Sequence, residues 1–243
     1  MTPLIRMQNL RKRHTRGDHE FSLHVPELDL YKGQTSVFQG ASGCGKSTLF
    51  DMIGLISKPD SADEFKIGGL ESPVDVRHSP ESLRTFLRSR IIGYVLQHAG
   101  LIPSLTVREN ILLPFRVDGE PPDLCRMENL SARLGISDHL RKKPAHLSGG
   151  QLQRAAIARA LIRRPSVILA DEPTGQLDIF TAEEVRDLLL AVAREENAAL
   201  LIVTHDPDLF QSVADRRFGF DYRKIGKGYQ SVLREFSTSS LRS

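Results

Sequence analysis

The chain has no tryptophan and only two cysteines, Cys44 and Cys125, so no disulfide framework can hold it and its thiols suit a reducing compartment. It lacks any apolar run near the roughly 20 residues that cross a bilayer, and Met1-Thr2-Pro3-Leu4 does not open a signal-peptide core. If the protein works at a membrane, another chain is expected to supply the span. A net charge of +3 is too slight to argue for nucleic acid. There is no internal repeat, so one set of site residues is expected. What remains is an ordinary globular composition, 40% hydrophobic and 26% charged over 243 residues, enough for one large domain or two small ones.

Alternation, periodicity and turn residues give a coarse order of elements. Residues 4 to about 38 read as short strands with turns at Arg16-Gly17-Asp18 and Lys32-Gly33. Within them, Phe21-Ser22-Leu23-His24-Val25 alternates apolar and polar as a half-buried strand does. A helix is expected over 47–56 and a strand over 64–67, closed by Gly68-Gly69. Ser79-Pro80-Glu81 has the form of a helix start with proline at the first helical position; that helix runs to about Arg90, before a buried strand over 91–96. Residues 98–164 read as mostly helical, broken at Gly119-Glu120-Pro121-Pro122 and Lys143-Pro144. A strand over 167–170, a helix over 181–196, a strand over 199–204 and a short helix from Asp206 restore an α/β rhythm. Two short strands are expected around Gly226-Lys227-Gly228, then a disordered serine-rich tail over 237–243.

Leu147-Ser148-Gly149-Gly150-Gln151 opens a strongly helical segment, residues 151–164. A serine and two bare glycines there leave backbone N–H groups for an anion, with the positive end of the helix dipole behind them. No lysine accompanies them, so this is half of a phosphate site, or else an ordinary capped turn. The other half is Gly40-Ala41-Ser42-Gly43-Cys44-Gly45-Lys46-Ser47-Thr48. It matches the P-loop pattern: glycines let N–H groups wrap phosphate oxygens, Lys46 reaches the β- and γ-phosphates, and the Ser47 hydroxyl suits Mg²⁺. Its flanks, a short strand over 35–38 and a helix after it, are the context the pattern requires.

Residues 167–170 are too densely apolar for a half-exposed strand, which predicts a buried parallel one ending at Asp171-Glu172. Ligands in open α/β sheets bind beyond such carboxyl ends. Asp171 then suits the Mg²⁺ shell, and Glu172 can position or deprotonate the attacking water. The bland reading is a solvated pair before the turn at Pro173. Gln97 and His205 also end core strands. Each has a bland reading as well, a turn residue and a helix cap. On the ligand face, however, the glutamine can reach metal or water and the imidazole a γ-phosphate oxygen.

In this order the motifs resemble the nucleotide-binding subunit of an ATP-binding cassette (ABC) transporter, over residues 4–236. Residues 40–48 match its Walker A loop, Gln97 the Q-loop, 147–151 the signature motif and 167–172 Walker B with its glutamate. Leu177-Asp178 matches the D-loop and His205 the switch histidine. The resemblance implies an α/β P-loop NTPase (RecA-like) core with an N-terminal antiparallel β subdomain and an inserted helical subdomain at about 98–164, in one ATPase domain spanning 1–236. It implies ATP and Mg²⁺ as ligands, ATP hydrolysis, and head-to-tail pairing with a second ABC subunit. Ser148, Gly149 and Gly150 of one subunit would close on the γ-phosphate held by Lys46 of the other.

One departure from the family falls at the adenine-stacking aromatic, where His14 stands for tyrosine. Phe21 is the alternative cover for the base, and weaker stacking leaves GTP open beside ATP. The resemblance also implies an integral-membrane permease docked near the Q-loop, where Leu101, Ile102 and Leu105 are candidates for an exposed apolar patch. The subunit would then sit on the cytoplasmic face of the inner membrane. The wording of 106–114 and 174–178 looks like the lipoprotein-release, macrolide-export and cell-division branch. The alternatives are an ATPase driving a non-transporting envelope-remodelling or signalling complex, or a soluble ABC ATPase acting on DNA or ribosomes.

Overall fold

The computed structural model describes residues 2–16, 19–226 and 228–236. The tail expected to be disordered from Ser237, and parts of two expected turns (Gly17, Asp18 and Lys227), lie outside them. In chain order, the elements begin with β1 (Ile5–Arg16), β2 (His19–Leu30), β3 (Thr35–Gln39) and α1 (Lys46–Ile53). There follow β4 (Glu64–Ile67), β5 (Val74–Asp75), α2 (Glu81–Ile91), β6 (Ile92–Val95), α3 (Val107–Val117), α4 (Leu124–Arg133) and α5 (Gly149–Leu161). The series closes with β7 (Val167–Asp171), α6 (Ile179–Glu195), β8 (Ala199–Thr204), α7 (Pro207–Gln211), β9 (Arg216–Ile225) and β10 (Gly228–Phe236).

The described strands form one sheet in the order β5-β4-β1-β2-β10-β9-β3-β8-β7-β6. At one end of this order β3, β8, β7 and β6 run parallel. Every residue of β8 and the first four of β3 and β7 are buried. Continuous burial on both faces is why β7 and β8 read as apolar runs, while β3 buries Thr35 and Ser36 as well. Helices cover both faces and divide the core into two apolar clusters. One lies beneath α3–α6; the other lies around α1, α2, β1 and β2.

β1 and β2 are longer than expected, 12 residues each. The polar run after Leu10 carries no apolar alternation, yet it pairs with β2 as far as Arg16↔His19. The one gap in the ladder falls opposite Pro26, which has no N–H to give. The expected C-terminal pair also extends further, as a hairpin of 10 and 9 residues. β10 joins β2 and β9 joins β3, so the hairpin makes the antiparallel wall and the parallel core one continuous sheet.

Within the mostly helical stretch, short 3₁₀ turns occupy Ser137–His139 and Pro144–His146. Thr106 and Glu109 form a reciprocal capping box that starts α3, an arrangement worth about 1 kcal/mol. Fully buried Asn110 then ties down the preceding loop, donating to the carbonyls of Ile102, Leu105 and Thr106 and accepting from Ile102 N–H. α2 begins at Glu81 with Pro80 just outside it, one residue later than the sequence suggests. Among the described residues, no helix is long and apolar enough to cross a membrane.

Candidate functional site

The loop between β3 and α1 turns on glycine. Gly43 and Gly45 have φ of 79° and 106°, conformations that a side chain resists. A Cβ on Gly45 would also lie 3.0 Å from Phe21 Cζ and 3.3 Å from Leu23 Cδ1. From below, Ser231 Oγ donates to the Cys44 carbonyl at 2.5 Å. Lys46 is nearly buried, and its ammonium donates back to the carbonyls of Gly40 and Ala41 at 2.6 and 3.0 Å. The cation is thus tethered inside the loop, where an incoming phosphate can replace two carbonyls as its partner.

Ser42, Gly43, Gly45, Lys46, Ser47 and Thr48 line an open cavity of about 270 Å³, whose other walls include Phe21, Gln97, Asp171, Glu172 and His205. The P-loop, Gln97, the Asp171–Glu172 pair and His205 therefore meet at the carboxyl ends of the parallel strands, with Phe21 of β2 beside them. Burial pushes the Asp171 carboxyl above its ordinary range, with Lys46 and His205 pulling it back. Cys44 differs from its neighbours: its thiol is buried under Gly40, and burial raises its pKa. Whatever Cys44 offers a phosphate comes from its backbone.

Glu172 leaves β7 with φ of 49°, unusual for a residue bearing a Cβ, while its N–H still bonds the Val203 carbonyl at 2.9 Å. That kink turns the side chain across the strand ends. Its Oε2 accepts from the His205 backbone N–H at 3.2 Å. Its Oε1 lies 3.2 Å from His205 Nε2, near enough for an ion pair but out of line for a hydrogen bond. Oε1 is thus a buried carboxylate oxygen without a hydrogen-bond partner among the described residues, an arrangement that is costly unless something else fills it. Gln97 is exposed at the cavity wall.

Ser148 caps α5. Its Oγ accepts from Gln151 N–H, and Gln151 Oε1 accepts from Ser148 N–H. The turn is thus capped, as the bland reading of the pentapeptide has it, while first-turn N–H groups such as those of Gly149 and Gly150 have no intrahelical partner. The glycines also serve packing inside the chain. A Cβ on Gly150 would lie 2.6 Å from Thr181 Cγ2, and one on Gly149 3.2 Å from Leu177 Cδ2. Asp178, directed at its own helix, accepts from Thr181 N–H and Oγ1 and starts α6 at Ile179, two residues earlier than expected. None of Ser148, Gly149, Gly150, Gln151 and Asp178 lines the phosphate cavity of its own chain.

His14 pairs with Phe21 across β1 and β2, their rings stacked at 6.4 Å. Phe21 lines the cavity, whereas His14 is exposed beside it. Sequence reasoning missed the ties between the two halves of the site. Gln153 Nε2 donates to the Leu96 carbonyl, and Arg159 donates to the carbonyls of Ala99 and Gly100. α5 thereby grips the loop that carries Gln97. The only signal was a polar residue, Gln153, on the face of α5 that packs inward.

A profile of the family described as "ABC transporter" matches residues 23–175. The lipoprotein-releasing system ATP-binding protein LolD 1 of Rhodospirillum rubrum is 43% identical over 185 residues, 75% of this chain and 80% of that protein. The macrolide export ATP-binding/permease protein MacB of Syntrophobacter fumaroxidans is 38% identical over 86% of this chain, which spans only 29% of that protein. Among solved structures, the dimeric post-hydrolysis state of the cassette MJ0796 bound to ADP and Pi superposes with a TM-score of 0.77 at 32% identity, covering 88% of this chain and 93% of that one.

Proposed function

This chain belongs to the ABC transporter family as an ATP-binding, ATP-hydrolysing subunit, and we propose that two copies of it drive a separate integral-membrane permease of the lipoprotein-release or macrolide-export type. The orphaned Oε1 of Glu172, a residue that shares one cavity with the P-loop, carries the mechanistic part of this reading. Water held by that oxygen attacks the γ-phosphorus and passes a proton to the carboxylate. The bond to the β–γ bridging oxygen breaks, and its electron pair leaves with ADP. Lys46 neutralises charge on the phosphates. His205, its Nε2 beside Glu172, holds a γ-phosphate oxygen or the water, and Gln97 lies within the same cavity to orient either.

Ser47 and Asp171 supply one hydroxyl and one carboxylate, a donor set that fits Mg²⁺ only when phosphate oxygens and waters complete the octahedron. No group of three potential His, Cys, Asp or Glu ligands occurs among the described residues, so the ion is expected to arrive with the nucleotide. When bound, it would supply charge neutralisation on the phosphate oxygens.

Gly149 and Gly150, at the N-terminus of α5, do not line this cavity, which supports a split site: Ser148, Gly149, Gly150 and Gln151 of one copy serve the nucleotide of the other. The permease would hold the subunit at the cytoplasmic face of the inner membrane. A groove of about 340 Å³ beside the Gln97 loop, lined in part by Leu96, Leu113 and Val117, suits an apolar segment from it. Ile102 is 38% exposed nearby, whereas Leu101 packs against the core.

Glu172→Gln tests the reading. ATP binding should persist, turnover should fall at least about 100-fold, and an ATP-bound dimer should appear by size-exclusion chromatography. Ser148→Arg in that background should abolish the dimer while each copy still binds ATP. Unchanged hydrolysis by Glu172→Gln would refute its role, and lost nucleotide binding in the Ser148 variant would refute the split site.

A further inference from the structure

Residues 137–146, which lead from α4 into α5, carry Arg141, Lys142 and Lys143 against one carboxylate, Asp138. All three cations are exposed, as is Arg108 in the first turn of α3. Two backbone bonds of 2.9 Å, from Val107 N–H to the Lys142 carbonyl and from Arg108 N–H to the Leu140 carbonyl, hold the two segments side by side. Among the described residues none of the four cations pairs with a carboxylate: Glu109, next to Arg108, accepts from Thr106 and lies 3.8 Å from Arg116. Arg108 also adds a cation to the positive end of the α3 dipole, where it lowers helix stability. The net charge of the whole chain is only +3, so this excess of positive charge is local.

Position within the molecule indicates what such a surface meets. Residues 97–106 start from Leu96, a wall of the apolar groove, and end at the start of α3 against the basic loop. Between those ends Ile102, Pro103 and Ser104 are exposed, and Asn110 holds them in place through Ile102 and Leu105. With a permease seated in the groove, this side of the chain faces the bilayer. Cytoplasmic loops of membrane proteins carry an excess of Lys and Arg, so such a loop would be repelled here. The cytoplasmic leaflet is anionic and attracts each Lys or Arg held close to it. We propose that Arg108, Arg141, Lys142 and Lys143 bind the anionic headgroups of the membrane directly, a second hold on the bilayer beside the permease. This rests on the membrane-subunit reading above and adds a lipid contact that needs no permease.

The test sediments the purified chain, without permease or nucleotide, with vesicles of phosphatidylcholine alone or with about one-third phosphatidylglycerol. The chain should bind only the anionic vesicles, and binding should weaken at least about tenfold as salt rises from about 0.1 to about 0.5 M. Arg141→Ser/Lys142→Ser/Lys143→Ser should weaken it at least about tenfold, and its retained ATP binding excludes unfolding. Arg11→Ser/Arg13→Ser/Arg223→Ser, which removes the same charge from exposed positions on the antiparallel wall, should bind as wild type does. Equal binding to both vesicles, unchanged binding by the first variant, or an equal loss in the second would each overturn the lipid contact. A soluble polyglutamate peptide held more tightly than the anionic vesicles would also overturn it, in favour of an acidic protein segment. Pull-down from detergent-solubilised membranes reads the permease separately. A polytopic partner without vesicle binding overturns the lipid contact alone, and vesicle binding without a polytopic partner overturns the permease instead.

Discussion

Gly150→Ala places a methyl group 2.6 Å from Thr181 Cγ2, well inside contact distance. That carbon cannot swing aside at no cost. Thr181 Oγ1 donates to Asp178 Oδ2 at 2.6 Å, and rotating the side chain gives up this bond, worth roughly 1 kcal/mol. Forcing one methyl into such a contact costs about 1–3 kcal/mol. Alanine's better helix propensity returns at most about 1 kcal/mol, less in a first turn. The net loss is on the order of 1 kcal/mol, or about 2–4 °C in melting temperature for a chain of this size.

Thr181→Ser removes Cγ2 but keeps the oxygen that bonds Asp178. The double variant Gly150→Ala/Thr181→Ser should therefore melt at or slightly above Thr181→Ser alone, giving a coupling energy equal to the cost of the contact, about 1–3 kcal/mol, in thermal and denaturant unfolding. ATPase assays on the same proteins separate packing from chemistry. If the bare N–H edge of Gly150 serves the other copy's nucleotide, the stable double variant should remain slower than Thr181→Ser by about tenfold. A Gly150→Ala melting temperature at or above wild type, or no rescue by Thr181→Ser, refutes the steric account. A fully active double variant refutes the role at the second copy's phosphate.

Phe21→Ala should weaken binding of a fluorescent ATP analogue more than His14→Ala does, by about tenfold against less than about threefold, since Phe21 lines the cavity and His14 stands behind it; the reverse order would return the base to His14. Intact-protein mass spectrometry during maleimide labelling should find Cys125 modified quickly and Cys44 slowly even without nucleotide, because the Cys44 thiol is buried with a raised pKa. Rapid Cys44 labelling that ATP suppresses would put the thiol in the phosphate space instead.

The sequence made the phosphate site legible because its chemistry is local. A loop that wraps phosphate needs glycines at fixed offsets from a lysine, and a buried parallel strand must be apolar until it ends. Gly43, Gly45, Lys46, Asp171 and Glu172 therefore announce themselves without partners. What stayed hidden depends on neighbours distant in the chain. The polar half of β1 has no strand pattern of its own and is set by its ladder to β2. The C-terminal segment reads in the sequence only as two short strands, yet it supplies Ser231 beneath the P-loop and joins the two parts of the sheet.

The signature glycines show the same limit from the other direction. Their spacing predicts an anion site, and nothing in it predicts Thr181, 31 positions after Gly150 in the sequence, as a second reason for bareness. On the split-site proposal one residue answers to two constraints, close approach of α6 inside the chain and an open N–H edge outside it. The first constraint fixes α6 against α5, and α5 in turn grips the Gln97 loop through Gln153 and Arg159. A change at the half-site is therefore mechanically connected to the loop beside the apolar groove and to Ile179 and Phe180 at the start of α6. Packing at Gly150 thus joins the start of α5 to the start of α6 and, through α5, to the Gln97 loop.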